Sequence, residues 1–468
     1  MATSANSSKS GNWKRKELWF LVIYAIVFYV IIINRSLQLS RDYHKQLSGL
    51  RPASFDLRVR GMSIVWLLFS LAYLSYLHGA CIVFILSIAT GNFILVKKCL
   101  SNGEYGDVFG GGGLGIVEGQ IFAQKEYFPL IVWSYNILFL LCNRIYEGYS
   151  FSIFGQQWAF LENYRGSFRW HICFNFVVLR MISFGFDYHW TNRESHFDEE
   201  ERSLHSDRFG YITYLSYLVY APLYIAGPIL SFNAFASQLD VPQNAISVRK
   251  VTLYGFRWML SMILMELMTH LCYYNAFAKS DLWKHLSPMD VFIIGYGVLN
   301  FMWLKFLLIW RFFRFWSLIN GIEAPENMPK CINNCHNLEG FWKNWHASFN
   351  KWLVRYIYIP LGGSKKKLLN VWVIFTFVAI WHDLEWKLLS WAWLTCLFFI
   401  PELVFKSAGK AFQVANLVGF VVGPGGINWL LSSFLQKEGL PVLGGMLVTF
   451  YVGTKIMFHI DEAKQRLS

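Results

Sequence analysis

Of the chain's 468 residues, 55% are hydrophobic and 19% aromatic, while only 15% are charged, against roughly 25% in a typical soluble domain. That balance excludes an ordinary soluble protein and points to one embedded in a membrane. The net charge of +13 is membrane flanking rather than a nucleic-acid footprint: basic groups such as Lys14-Arg15-Lys16 and Lys365-Lys366-Lys367 border apolar runs, and no RNA- or DNA-binding motif accompanies them.

The chain opens on a polar tail, residues 1–17, Ser-rich up to Ser10. The first charge-free run follows at 18–34, with Arg35 and Arg41 beyond it and no small-residue cleavage site, so it is expected to be a retained helix rather than a removed signal peptide. The run at 62–96 is too long for one crossing, which takes about 20 residues. It carries His78-Gly79 near its middle, which predicts two helices joined by a short turn.

Further charge-free runs lie at 209–239 and 411–436, and shorter or interrupted ones at 128–143, 171–179, around Met259 and Met268, and at 291–304, 368–382, 388–401 and 439–454. Together they predict an all-α, polytopic bundle of about 8–12 transmembrane helices in a single integral domain, 1–468. Loops are expected at 36–61, at 101–126 with its run Gly110 to Gly113, at the acidic stretch 194–208, and at the Asn- and Pro-rich 320–339. Pro222, Gly227 and Pro228 interrupt YLVYAPLYIAGPILSF, as a proline kink or as a re-entrant segment whose freed backbone groups need protein or water. The eight cysteines fall mostly in or beside apolar runs and form no disulfide framework. No internal repeat of the kind found in many transporters is present.

Two Trp-His pairs carry the candidate chemistry. Trp345-His346 lies in FWKNWHASFNKWLVRYIYIPLGG, and Trp381-His382 ends the uncharged run LLNVWVIFTFVAIWH, 382 − 346 = 36 residues later. An imidazole at the level of lipid, titrating near neutrality, suits proton transfer, which makes His382 the leading candidate. The alternative is a buried histidine satisfied inside a bundle. Phe341, Trp342, Trp345, Phe349, Trp352 and Tyr356 recur at helical spacing and predict one helix with a broad aromatic face. His346 and Asn350, four apart, share a side of that helix. Lys343, Lys351 and Arg355 place it at the membrane interface, where His346 is alternatively an interfacial histidine bonded to a carbonyl.

Asp383 does not share a helix face with its neighbour, so no His382-Asp383 dyad is assumed; it closes the helix toward water, with Glu385 beside it. No GxSxG elbow, HExxH site, Walker loop or dinucleotide fingerprint is present. Cys331, Cys335 and His336 lack the second ligand pair of a zinc site, so no metal is expected there.

Together these motifs resemble the signature of the membrane-bound O-acyltransferases. LRMISFGFDYHW and YLVYAPLYIAGPILSFNAFASQL are similar to the family's upstream segments, and the resemblance covers a motif-bearing core, 168–393. Its wording is most similar to the branch of Hedgehog acyltransferase and the fungal Gup (glycerol uptake) proteins, leaning toward Gup. The resemblance implies transfer of a fatty acyl group from acyl-CoA to a hydroxyl or amine within a membrane tunnel, with no cofactor required. His382 corresponds to the family's membrane-buried histidine, a general base. His346 stands where branches carry His, Asn or Asp; Hedgehog acyltransferase is acidic there, which speaks against protein N-palmitoylation.

Asn350, Trp345, Trp381 and Asp383 are the accompanying substrate-binding candidates, and Lys365 to Lys367 either flank the membrane or attract CoA phosphates. Cys331 falls where Hedgehog acyltransferase has a haem-ligating cysteine. The Gup likeness implies a lysolipid acceptor, such as a lyso-form of a glycosylphosphatidylinositol anchor, and the endoplasmic reticulum membrane. A glycerol or polyol transporter, a protein acyltransferase and a non-catalytic relative are the competing expectations.

Overall fold

The computed structural model describes residues 55–100, 114–191, 208–239, 246–272, 274, 276, 287–335, 337–404, 435–445 and 448, with the side chains of 55–62, 114–126, 289, 291–292 and 401–404 left aside. The expected span at 18–34, most of that at 411–436, the acidic loop up to Asp207, and His336 lie outside these residues. The chain divides into two compact units, Met1–Met62 and Ser63–Ser468; the site belongs to the second. Every element is helical, with no strand among the described residues. Among the described residues, four stretches are long and apolar enough to cross a membrane: Ser63–Leu100, Tyr127–Ile145, Val248–Leu271 and Ile293–Ile319.

The expected turn within the first apolar stretch is present. Helix α1 (Phe55–His78) gives way to one 3-10 turn, Gly79–Cys81, before α2 (Ile82–Leu100). Gly79 sits at φ +56, where a Cβ would also collide with the Tyr164 carbonyl, so only glycine fits the corner. Helix α3 (Leu114–Ile145) corrects the loop expected over 101–126 from Leu114 onward; 101–113 lie outside the described residues. Its Glu, Gln and Lys residues read as loop by polarity, yet they are good helix formers.

Helix α4 (Trp170–Thr191) is the buried centre, and its polar side chains organise what surrounds it. Arg180 donates to the carbonyls of Tyr217 (3.2 Å), Leu218 (2.6 Å) and Leu223 (2.6 Å). These are the groups freed where the interrupted run 209–239 breaks into α5 (Tyr211–Leu218), α6 (Ala221–Tyr224) and α7 (Phe232–Ala236). The break therefore exceeds a kink, and a buried arginine meets carbonyls at it. Asp187, fully buried, accepts from Asn233 N (3.0 Å) and Tyr356 Oη (2.9 Å) and pairs with Arg355 (3.2 Å), joining α7 to the segment after His346.

The largely lipid-facing α8 (Val248–Leu271) packs on α9 (Pro288–Ile319). The expected 320–339 loop is irregular apart from one 3-10 turn, Ile332–Asn334, up to the next helix. The single aromatic helix expected from Phe341 onward is not formed. It divides into α10 (Leu338–Asn344), α11 (Ala347–Leu353) and a π turn, Val354–Tyr358, with the first break at His346. Gly362 (φ +97) and Gly363 (φ +56) then turn the chain, held by Asn370 Nδ2 on the Gly363 carbonyl (2.9 Å), into α12 (Lys367–His382) and α13 (Trp386–Val404).

Candidate active site

A cavity of about 1140 Å³ runs between α4, α9, α10, α11 and α12, and both histidines of the Trp-His pairs line it. Its wall on α12 is a stripe of Lys367, Val371, Ile374, Val378 and His382, spaced by four, three, four and four residues, which is one face of a helix. The lining is apolar along the middle and charged at both ends. At the start of α12, Glu339 pairs with Lys343 (2.8 Å) and Lys367 (3.2 Å); the two ammonium groups hold its carboxyl below the usual glutamate range. At the other end Arg144 and Asp383 stand 3.6 Å apart.

The final carbonyls of α12 have no partner within the helix, and residues from elsewhere meet them. Arg144 Nη2 donates to Trp381 O (3.2 Å) and His382 O (2.5 Å), and Asn175 Nδ2 donates to Trp381 O (2.6 Å). The Trp381 indole N–H returns a bond to Asn175 O (2.9 Å). Trp381 is thus buried structure joining α12 to α4. The His382 side chain faces the cavity, with accessible surface although protein surrounds it on most sides; no described residue hydrogen-bonds its ring, so it is not the satisfied core histidine that was the alternative.

His346 is held differently. Its backbone lies in the left-handed region, φ 50 and ψ 50, close to the ideal for that conformation. The two amides after it are taken by one residue of the preceding loop: Ala347 N donates to Asn327 O (3.0 Å) and Ser348 N to Asn327 Oδ1 (3.1 Å). Ser348 Oγ in turn accepts from Ile229 N (2.8 Å) in the broken segment. The imidazole stacks on Trp310 with centroids 4.4 Å apart and 13° between planes, and its Nε2 is buried without a hydrogen-bond partner. It is not the carbonyl-bonded interfacial histidine that was the alternative. Asn350 lies on the same cavity wall, although His346 caps the helix instead of sitting within it. Phe349 touches both the His346 ring (5.2 Å) and the Trp381 ring (4.6 Å), so one aromatic residue links the two pairs.

All six candidate residues, His382, His346, Asn350, Trp345, Trp381 and Asp383, meet at this cavity. Trp345 packs between Phe341 and Phe306 as part of the wall. Sequence reasoning missed Arg144, Asn175, Trp310 and Asn327. For Arg144 a signal existed, a lone cation ending an apolar run; for the others none did, because their roles depend on pairings across the fold.

Cys331 is not part of the cavity wall. It packs with Cys335 against Ile332, Leu338 and Phe341, and Cys335 Sγ lies 3.8 Å from the Cys331 carbonyl. No group of three or more His, Cys, Asp or Glu fit for a metal occurs among the described residues.

An apolar cavity lined by both Trp-His pairs, with charged residues gathered at either end of α12, in a helical chain with apolar membrane-length helices, has the features of a membrane enzyme. Comparison makes it specific: the profile of the membrane-bound O-acyltransferase family matches residues 121–439, and the chain belongs to that family. It is 34% identical over 438 residues to membrane-bound O-acyltransferase gup1 of Schizosaccharomyces pombe, covering 84% of this chain and 71% of that one. To GUP1 of Saccharomyces cerevisiae it is 36% identical over 382 residues, 72% and 68% of the two chains. A shorter match, 30% over 191 residues and 39% and 38% of the chains, is to mouse protein-cysteine N-palmitoyltransferase HHAT.

Proposed function

We propose that the protein transfers a fatty acyl group from acyl-CoA to the hydroxyl of a lysolipid, such as a lyso-form of a glycosylphosphatidylinositol anchor, in the endoplasmic reticulum membrane. One observation carries this reading: both Trp-His pairs line a single, mainly apolar cavity that has charged residues at either end of α12, which we take as its two mouths. Its volume exceeds the roughly 300–1,000 Å³ of ordinary small-molecule sites, as a fatty chain plus an acceptor requires. The Glu339-Lys343-Lys367 mouth suits the phosphates of CoA, and the Arg144-Asp383 mouth, near neutral overall, suits a hydroxylated head. No cofactor enters the step.

His382 removes the acceptor proton as the hydroxyl oxygen attacks the thioester carbonyl carbon, a role that contributes about 10²- to 10⁴-fold. The C–S bond then breaks, and the imidazolium returns the proton to the departing thiolate. His346, with an unpaired Nε2, and Asn350 donate to the developing oxyanion. The apolar walls keep water from the thioester.

The likeness to HHAT brings a protein amine forward as a second acceptor class, and the Gup likeness brings a polyol carrier. Purified protein is given radiolabelled acyl-CoA with lysolipids, and glycerol flux is followed in liposomes. Acyl transfer that His382→Ala slows by about 10²- to 10⁴-fold supports the enzyme; glycerol flux without CoA release overturns it.

A further inference from the structure

We propose that Arg144 is the positioning residue for His382, holding the imidazole at the cavity wall by clamping the end of its helix. The proposal rests on His382 being the general base. Helix α12 ends at its most important residue, which is mechanically the weakest place: terminal carbonyls lack partners and the last turn frays. No glycine follows to close the end in a left-handed cap, and Asp383 leaves in extended conformation at φ −169 and ψ 158.

The end is instead closed by a side chain from 237 residues earlier. The Arg144 side chain, only 9% exposed, reaches both of the last two carbonyls through Nη2 while Nη1 faces Asp383 at 3.6 Å. One nitrogen of the planar fork donates to two carbonyls while the other stands in an ion pair, and its charge sits at the negative end of the helix dipole. Asn175 fixes only the Trp381 carbonyl; the His382 carbonyl relies on Arg144 among the described residues.

A lysine in place of Arg144 keeps the charge but is a single, shorter, rotatable point donor. It can serve Asp383 or a carbonyl, not the set. Displacing a catalytic group by about 1 Å costs on the order of 10²-fold in rate, so loss of the clamp acts on turnover and leaves the acyl-CoA mouth, at the far end of α12, alone.

The test uses full-length protein in detergent or liposomes, with wild type, Arg144→Gln, Arg144→Lys, His382→Ala and Arg144→Gln/His382→Ala. Expected are a fall in kcat of about 10²-fold for Arg144→Gln, an unchanged KM for acyl-CoA, and a smaller fall for Arg144→Lys. The double variant is expected to be no slower than His382→Ala alone, because a residue acting through the imidazole has nothing to act on once it is gone. Binding of a non-hydrolysable acyl-CoA analogue and thermal unfolding establish that each variant is folded; if Arg144→Gln is not, Arg144→Lys alone decides. Wild-type kcat in Arg144→Lys, or in a folded Arg144→Gln, overturns the proposal, as does further loss in the double variant. Transfer that His382→Ala leaves near the wild-type rate sinks the base assignment itself, a separate failure.

Discussion

The left-handed backbone at His346 makes a prediction that separates main-chain geometry from side-chain chemistry. With φ 50 and ψ 50, an L-residue there carries a penalty of about 1–2 kcal/mol that glycine does not. Glycine gives back roughly 0.4–1 kcal/mol through the greater freedom of its unfolded chain. Replacing His346 by Ala or by Gly removes the same imidazole and the same stack on Trp310, a contact worth about 0.5–1.5 kcal/mol. The Ala variant should therefore be less stable than wild type and the Gly variant close to wild type, with His346→Gly above His346→Ala by about 1 kcal/mol. His346→Asn falls between them, since Asn tolerates this conformation. Thermal unfolding in detergent gives the ranking. Acyl transfer, run in parallel, should fall equally in Ala and Gly and less in Asn, whose amide still donates. An Ala variant as stable as the Gly variant would refute the argument, because the break between α10 and α11 would then not depend on a left-handed residue.

Asn327→Ala leaves the buried Ser348 amide without its acceptor, a loss of about 1–3 kcal/mol that should lower both the unfolding temperature and transfer. Unchanged values for both would show that the loop does not hold the kink. Gly79→Ala meets the Tyr164 carbonyl at a positive φ and should fall at the upper end of the roughly 0.5–3 kcal/mol range of point mutants, read as lost yield of folded protein. Glu162 accepts from Phe151 N, Ser150 Oγ and the Arg165 guanidinium; the Arg165 hydrogen bond is the main cause that holds its carboxyl down to about 2, against an ordinary value of 4.5. A depressed carboxyl contributes stability that is complete above 4.5 and is lost as pH falls through about 2. Hydrogen exchange at the Phe151 amide should therefore stay slow at pH 4 in wild type and become fast in Glu162→Gln, whereas equally slow exchange in the two would remove the assigned role. Lys343→Ala with Lys367→Ala should raise KM for acyl-CoA, with kcat kept; an unchanged KM would move CoA to the other mouth.

Much of this molecule was legible along the chain. The helical class follows from apolar runs in a solvent that demands internally satisfied backbones, and the α1–α2 corner follows from a run twice too long with a glycine at its middle. The histidines were marked by their rarity in apolar surroundings, and the PLGG turn by glycines that take up positive φ. The expectation of one helix through His346 failed because periodicity reports which residues face together, not whether the chain stays wound. Trp345, Phe349 and Trp352 keep their spacing on both sides of a break that Asn327 imposes from a loop.

What the sequence by itself determined, then, is a helical membrane protein carrying two Trp-His pairs, because hydropathy and residue chemistry act locally. What only the tertiary structure decided is how those histidines are held: Asn327 folds one into a left-handed cap, and Arg144 fastens the end of the helix that carries the other. Each depends on a hydrogen bond between residues far apart in the chain. Such bonds leave no periodic trace, since the partner of a carbonyl at the end of a helix is chosen by packing in three dimensions.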